Sequence, residues 1–133
     1  MAREVAKMAG LFDPDPEYDA KSMQEIIDIA FNESTSPSYR LAAVINLGRR
    51  GRESPNPNLV RVLEEIASSG EFQEVRFLHG PSLSYVAVAG LIYWGTNESI
   101  NAARRAIGTL DKDDVADLTW FLKSGHFTLP DND

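Results

Sequence analysis

Four carboxylates alternate through Asp13-Pro14-Asp15-Pro16-Glu17-Tyr18-Asp19, a spacing that invites comparison with a calcium-binding loop. That chemistry requires a glycine at the sixth position and a bidentate glutamate at the twelfth, where this chain carries Tyr18 and Gln24. The prolines predict a stiff, extended connector instead, with Asp19 capping the helix that follows. Opposite charge gathers further on. Arg49, Arg50 and Arg52, with Arg40 and Arg61 close in sequence, give residues 36–61 a net charge of +4 inside a chain of net charge −7. The three clustered arginines suit a cationic edge that binds phosphate or an acidic partner. Equally, they suit charge balance against Glu33, Glu53, Glu64 and Glu65, with favourable placement at a helix C-terminus.

Aromatic residues supply the other candidate contacts. Gly70 to Gly80 forms a long connection containing Phe72, Val75, Phe77, Leu78 and His79, apolar enough either to fold back over a core or to present an aromatic surface. Near the end of the chain, Trp120 and Phe127 suit either the capping of an open helical stack or the anchoring of a partner. The candidate contact residues are therefore Arg49, Arg50, Arg52, Phe72, Phe77, His79, Trp120 and Phe127. Neither His79 nor His126 lies in a recognisable serine–histidine–aspartate arrangement. No glycine-rich phosphate loop, HExxH or GxSxG motif occurs. The expectation is a chain without catalytic residues, metal or cofactor.

Composition narrows the classes further. At 133 residues with 43% apolar content and no cysteine, the chain has room for one core and no thiolate or disulfide chemistry. A pI near 4.8 argues against nucleic acid and anionic membrane as partners, because long-range repulsion opposes both. The N-terminus interleaves charges of both signs, unlike a secretory signal, so a cytoplasmic location is expected. Leu83 to Trp94, the longest nearly uninterrupted apolar run, is too short to span a bilayer and reads as a buried helix.

These candidates must be positioned by helices, since 3.6-residue periodicity dominates and strand alternation is nearly absent. Met23, Ile26, Ile27, Ala30 and Phe31 share one stripe of a helix starting near Asp19. Ser36-Pro37 opens a second helix carrying Leu41, Val44, Ile45 and Leu47 towards Gly48 and Gly51, and Asn56-Pro57 opens a third with Leu59, Val62, Leu63, Ile66 and Ala67, stopped at Gly70. Gly80-Pro81 begins a fourth that is apolar all round. Asn97 caps a fifth bearing Ile100, Ala103 and Ile107, and Asp111 a sixth whose acids Asp111, Asp113, Asp114 and Asp117 read as a solvated start. One further short helix is expected between Arg3 and Leu11.

The chain also repeats itself. Shifted by 44 residues, Pro37, Ser38, Ala43, Val44, Leu47 and Gly51 meet Pro81, Ser82, Ala87, Val88, Leu91 and Gly95; at a shift of 41, Asn56, Leu59 and Ile66 meet Asn97, Ile100 and Ile107. The run Tyr39-Arg40-Leu41-Ala42-Ala43-Val44-Ile45-Asn46-Leu47-Gly48-Arg49-Arg50-Gly51 resembles the first helix of a HEAT repeat, and the resemblance covers about residues 37–108. The second copy has Ser84 where Arg40 stands and Ile92 where Gly48 stands. The resemblance implies an all-α, short right-handed α-solenoid, a stack of helical hairpins of about six to seven helices. It divides the single domain 1–133 into N-terminal capping helices (1–35), a first hairpin (37–69), a long loop (70–80), a second hairpin (81–108), a C-terminal capping helix (111–125) and a tail (126–133). Its usual work is to hold another macromolecule. With the acidic balance, the expectation is a non-catalytic adaptor or scaffold binding a basic protein. The alternatives are a small acidic immunity or inhibitor protein that neutralises a toxin or nuclease, and a nucleic-acid-associated repeat using the Arg49, Arg50 and Arg52 edge.

Overall fold

The structure, a computed structural model, describes residues 15–54, 56–76, 82–110 and 112–116. The chain is mostly helical, and the described residues contain no strand. The elements are α1 (Pro16–Asp19), α2 (Met23–Phe31), α3 (Pro37–Glu53), α4 (Pro57–Ser68), α5 (Gly70–Gln73), α6 (Leu83–Trp94) and α7 (Asn97–Ile107), followed by a helical segment at 112–116. The expected helix at Arg3–Leu11 lies outside the described residues. No helix among the described residues is long and apolar enough to cross a membrane.

Local chemistry sets most boundaries. Pro37 and Pro57 sit in the first turns of α3 and α4, behind Ser36 and Asn56 as N-caps, where a missing N–H is harmless. Several starts differ from the sequence expectation by one to three residues. Residues 16–19 are not extended: Asp15 accepts from the Glu17 amide and closes a single helical turn. Asp19 therefore ends α1 rather than capping α2, and Ser22 caps α2 in a reciprocal box with Glu25. Thr96, not Asn97, caps α7, with Ser99 as its partner. Ser82 caps α6 by accepting from the Tyr85 amide at 3.0 Å, while residues 80 and 81 lie outside the described set. Gly70 is the first residue of α5, so α4 stops at Ser69 without a left-handed glycine.

α6 sits at the centre. Every residue of it but Tyr93 is buried, against α3 on one side, α4 and α7 on others, and α5 near its start. α2 packs on the far side of α3. The stripes foreseen from spacing point inward: Ile26 and Ala30, Val44 and Leu47, Leu59, Leu63 and Ile66, and Ile100 and Ala103 all belong to one core.

Two pairs of helices run side by side in the same direction. α4 and α7 share a cleft at their first turns, and two turns later Glu64 pairs with Arg105. α3 and α6 meet at their C-terminal ends through Gly51 against Trp94 and Arg52 against Tyr93. Gly51 is buried, and a Cβ built there would lie 2.8 Å from Trp94 Cδ2 and nearer still to the adjoining six-membered ring. Only hydrogen fits between α3 and that indole.

Gly51→Ala is therefore expected to cost about 1–3 kcal/mol by overpacking, read as a lower midpoint in urea denaturation. Gly95→Ala, at the left-handed C-cap of α6 (φ 82°), should cost about 1–2 kcal/mol through backbone strain without a packing clash. Equal stability of the Gly51 variant and the parent would show that the α3–α6 contact is looser than described.

Candidate functional site

Arg49, Arg50 and Arg52 occupy the last turns of α3, and each is spent on the chain itself. Arg49 is only 4% exposed. Its guanidinium donates to Asp19, to Glu53 at 3.0 Å and to the Asn46 side-chain oxygen at 3.1 Å. Asn46 is held in turn by the Ala42 carbonyl at 2.8 Å. Arg50 donates to three carbonyls around the end of α1, those of Tyr18 at 2.7 Å, Asp19 at 3.1 Å and Lys21. Arg52 is exposed, yet it donates to the Tyr93 carbonyl at 3.0 Å and stacks on the Tyr93 ring at 4.6 Å. The three do not form an outward cationic edge. They lie on faces of α3 that meet α1 and α6, whose C-terminal carbonyls lack partners within their own helices and attract cations.

Arg40, the first arginine of α3, behaves the same way. It is buried, donates to the Ala30 carbonyl at 3.0 Å and lies over the Phe72 ring at 5.5 Å. Phe72 itself is buried in α5, edge-on to Phe31 at 5.2 Å between centroids. Of the two readings of the 70–80 connection, its start follows the fold-back one: α5 lays Phe72 over the core. Phe77, His79, Trp120 and Phe127 lie outside the described residues. Tyr39 is the large apolar side chain most open to solvent among those described, at 55% exposure.

The arrangement also contains an ion pair that sequence reading missed. Asp114, expected to be solvated, is completely buried. It accepts a two-pronged contact from Arg76, both distances 3.0 Å, and a 2.8 Å hydrogen bond from Ser82 Oγ. Ser82 thus links two tasks, accepting the Tyr85 amide that opens α6 and donating to the carboxylate. The Val75 carbonyl accepts from the Leu83 amide at 3.0 Å beside it. No sequence spacing could point to this pair, since its partners are 38 residues apart. The one available hint was the spacing of Leu110 and Leu118 at four residues before and after Asp114 in the sequence.

Carboxylates elsewhere respond to their neighbours in opposite senses. Arg105 donates twice to Glu64, at 2.7 and 2.8 Å, and this hydrogen bond holds the Glu64 carboxyl below its ordinary range against the opposing effect of burial. Glu71 is held above it by the hydrogen bond and repulsion from Glu33. Among the described residues no three metal-ligating side chains converge. A cleft of about 130 Å³ is lined by Asn56, Pro57, Val60, Trp94, Thr96 and Glu98.

Comparison with family models, with curated proteins and with solved structures finds no match to this chain.

Removing the Asp114 charge leaves Arg76 facing a buried neutral group and Ser82 without its acceptor. Asp114→Ala is expected to cost about 3–5 kcal/mol, measured by chemical denaturation, and Ser82→Ala about 1–2 kcal/mol through the lost cap. The two costs should be less than additive because the residues share a bond. The glutamates predict a pH signature. Stabilisation from Glu64 is present above the unfolded glutamate pKa and is lost as pH falls through the lowered folded value, so Glu64→Gln should cost under about 1 kcal/mol at neutral pH and nothing in acid. Glu71 has the opposite sign: its penalty is absent below the unfolded pKa and complete above the raised one. Glu71→Gln should thus stabilise at neutral pH, and its advantage should vanish on acidification. Thermal melts of both variants between neutral pH and pH ~3.5, below the ordinary glutamate pKa of about 4.3, read both signs.

Proposed function

We propose that this chain is a short right-handed α-solenoid of two HEAT-like hairpins, α3–α4 and α6–α7, that works as a non-catalytic adaptor for a basic protein. The observation carrying the solenoid is the repeat in space: α3 lies beside α6 and α4 beside α7, each pair running in one direction. Contacts between them fall near the sequence shifts of 41 and 44, as at Glu64 with Arg105 and Gly51 with Trp94. Even the departure at Ser84 keeps a function. Arg40 donates to Ala30 at the end of α2, and Ser84 Oγ donates to Ile66 at the end of α4 at 2.8 Å.

Charge supports the partner's sign. Arg40, Arg49, Arg50, Arg52, Arg76 and Arg105 are engaged within the fold, whereas Glu17, Asp28, Glu33, Glu65, Glu74, Glu98 and Asp113 are exposed. Arg61 and Lys112 are exposed as well, but the exposed acids outnumber them. Engagement of Arg49 and Arg50 within the fold leaves Arg52 as the exposed member of that trio, which favours the adaptor over the nucleic-acid reading.

Immobilised protein should retain a stoichiometric basic partner from extracts of its own source cell at low salt and release it near 1 M salt, where the screening length is about 3 Å. Glu65→Lys, on the exposed side of α4, should weaken capture without lowering thermal stability. Failure to recover any stoichiometric partner at low salt would overturn the adaptor reading; retention that ignores salt would overturn the electrostatic part of it.

A further inference from the structure

Residues 69–76, which contain α5, form a short strap that touches three separate parts of the fold. Near its start Phe72 meets Phe31 at the end of α2 and lies under Arg40 of α3. In its middle Gln73 donates to the Thr109 carbonyl beyond α7 at 2.7 Å. At its end Arg76 forms an isolated antiparallel bridge with Ser82, and both side chains donate to the Asp114 carboxylate. The Leu83 amide donates to the Val75 carbonyl at 3.0 Å, while Ser82 Oγ also accepts from the Tyr85 amide. The first turn of α6 is thus bonded both to the strap and to the carboxylate that the strap holds.

The strap is weakly built along its length. α5 is a single turn of four residues, too short to persist without tertiary contacts. Phe72 is the one buried residue of that turn, and Ser69 gives it no side-chain cap. A Cβ at Gly70 would meet nothing within 4 Å, so the join to α4 is open. Glu71 and Glu33 repel each other beside the aromatic contact, and Arg40 offsets part of that repulsion. Segments with few buried contacts open locally, below the free energy of global unfolding.

Its connections make that opening collective. Phe72 and Gln73 belong to one turn, and the Phe72 carbonyl accepts from the Val75 amide at 3.3 Å. Lifting Phe72 therefore displaces Val75, on whose carbonyl the Leu83 amide depends. Arg76 cannot leave alone, because Asp114 is completely buried and a buried carboxylate without its cation is strongly unfavourable. We propose that the strap is a conformational latch: residues 69–76 and the first turn of α6 open and close as one unit while α2, α3, α4 and the rest of α6 stay folded. Opening separates Phe72 from Phe31 and uncovers the Asp114 carboxylate, surfaces that the closed latch withholds. The latch is a property of the fold and stands apart from the adaptor reading.

Native-state amide hydrogen exchange of the full chain tests this, with Val75, Leu83 and Tyr85 reporting the unit and the buried Val44 and Leu47 reporting the interior of α3. Gln73→Ala removes the Thr109 bond without touching Leu83 or Tyr85. It should speed exchange at Val75, Leu83 and Tyr85 by one common factor, about fivefold for the loss of a single neutral hydrogen bond. Gly51→Ala weakens the α3–α6 contact, which stays closed when the latch opens. It should speed Val44 and Leu47 and leave the three reporters of the unit unchanged. Gly95→Ala, at the far end of α6, takes its place should Gly51→Ala fail to fold. Acceleration at Val75 alone in Gln73→Ala, or at none of the three, overturns the proposal, since the strap and α6 would then move independently. Acceleration of all five amides together in the glycine variant also overturns it, because the strap would then open only with the whole chain.

Discussion

Each helix ends in carbonyls that its own residues cannot satisfy, and here the donors come from neighbouring helices. α1, α2, α4 and α6 carry no basic residue in their last turns. Arg50 reaches the end of α1, Arg40 the end of α2, Ser84 the end of α4 and Arg52 the end of α6. Gln73 does the same for the Thr109 carbonyl beyond α7, at 2.7 Å. Hydrogen bonds from a charged donor contribute about 1.5–3 kcal/mol each, and these also fix position, because a donor that caps one particular carbonyl prevents its helix from sliding along the next. Three of the five donors lie on α3, which makes that helix the common reference for α1, α2 and α6.

Close approach is the second constraint, and it depends on the first. Arg52 can lie over the Tyr93 ring and reach the Tyr93 carbonyl only if α3 and α6 come near at their ends. Gly51, one residue earlier, permits that by offering no side chain to Trp94. α6 and α7 extend the same economy of volume, with Ala87 and Ala89 on one and Ala102, Ala103 and Ala106 on the other, all fully buried. Small residues bring backbones together, and the aromatic and aliphatic residues between them fill the remaining space to the density of a protein interior.

What was legible in the sequence was local. Apolar stripes, proline-led helix starts and the wholly apolar α6 follow from spacings of three and four residues. Cap identities slipped where two good cappers adjoin, as Thr96 and Asn97 do. Arg49, Arg50 and Arg52 stood between two readings, a cationic edge and charge balance at a helix C-terminus, because charge alone does not give register. Arg40, Val44, Leu47 and Gly51 fall at i, i+4, i+7 and i+11, one face of one helix, so the apolar stripe itself announced that Arg40 faces the core. Asp114 could not be paired this way, because Arg76 and Ser82 reach it only after the chain has closed a long-range loop.

Internal use of the arginines changes what the charge bands mean. A band of +4 in residues 36–61 suggests a bipolar molecule, yet most of that charge neutralises helix ends and carboxylates inside the fold. Among the described residues the exposed acids outnumber the exposed cations, which include Arg61 and Lys112. Such a field accelerates encounter and selects the sign of the partner more than it sets affinity. Affinity must come from desolvated contacts, whose surplus over the ordering cost is what binding retains. The contacts that are already desolvated serve the fold itself: the Trp94 indole packs on Gly51 while Arg52 caps the Tyr93 carbonyl, so the end of α6 is fixed to α3 by packing and by charge at once.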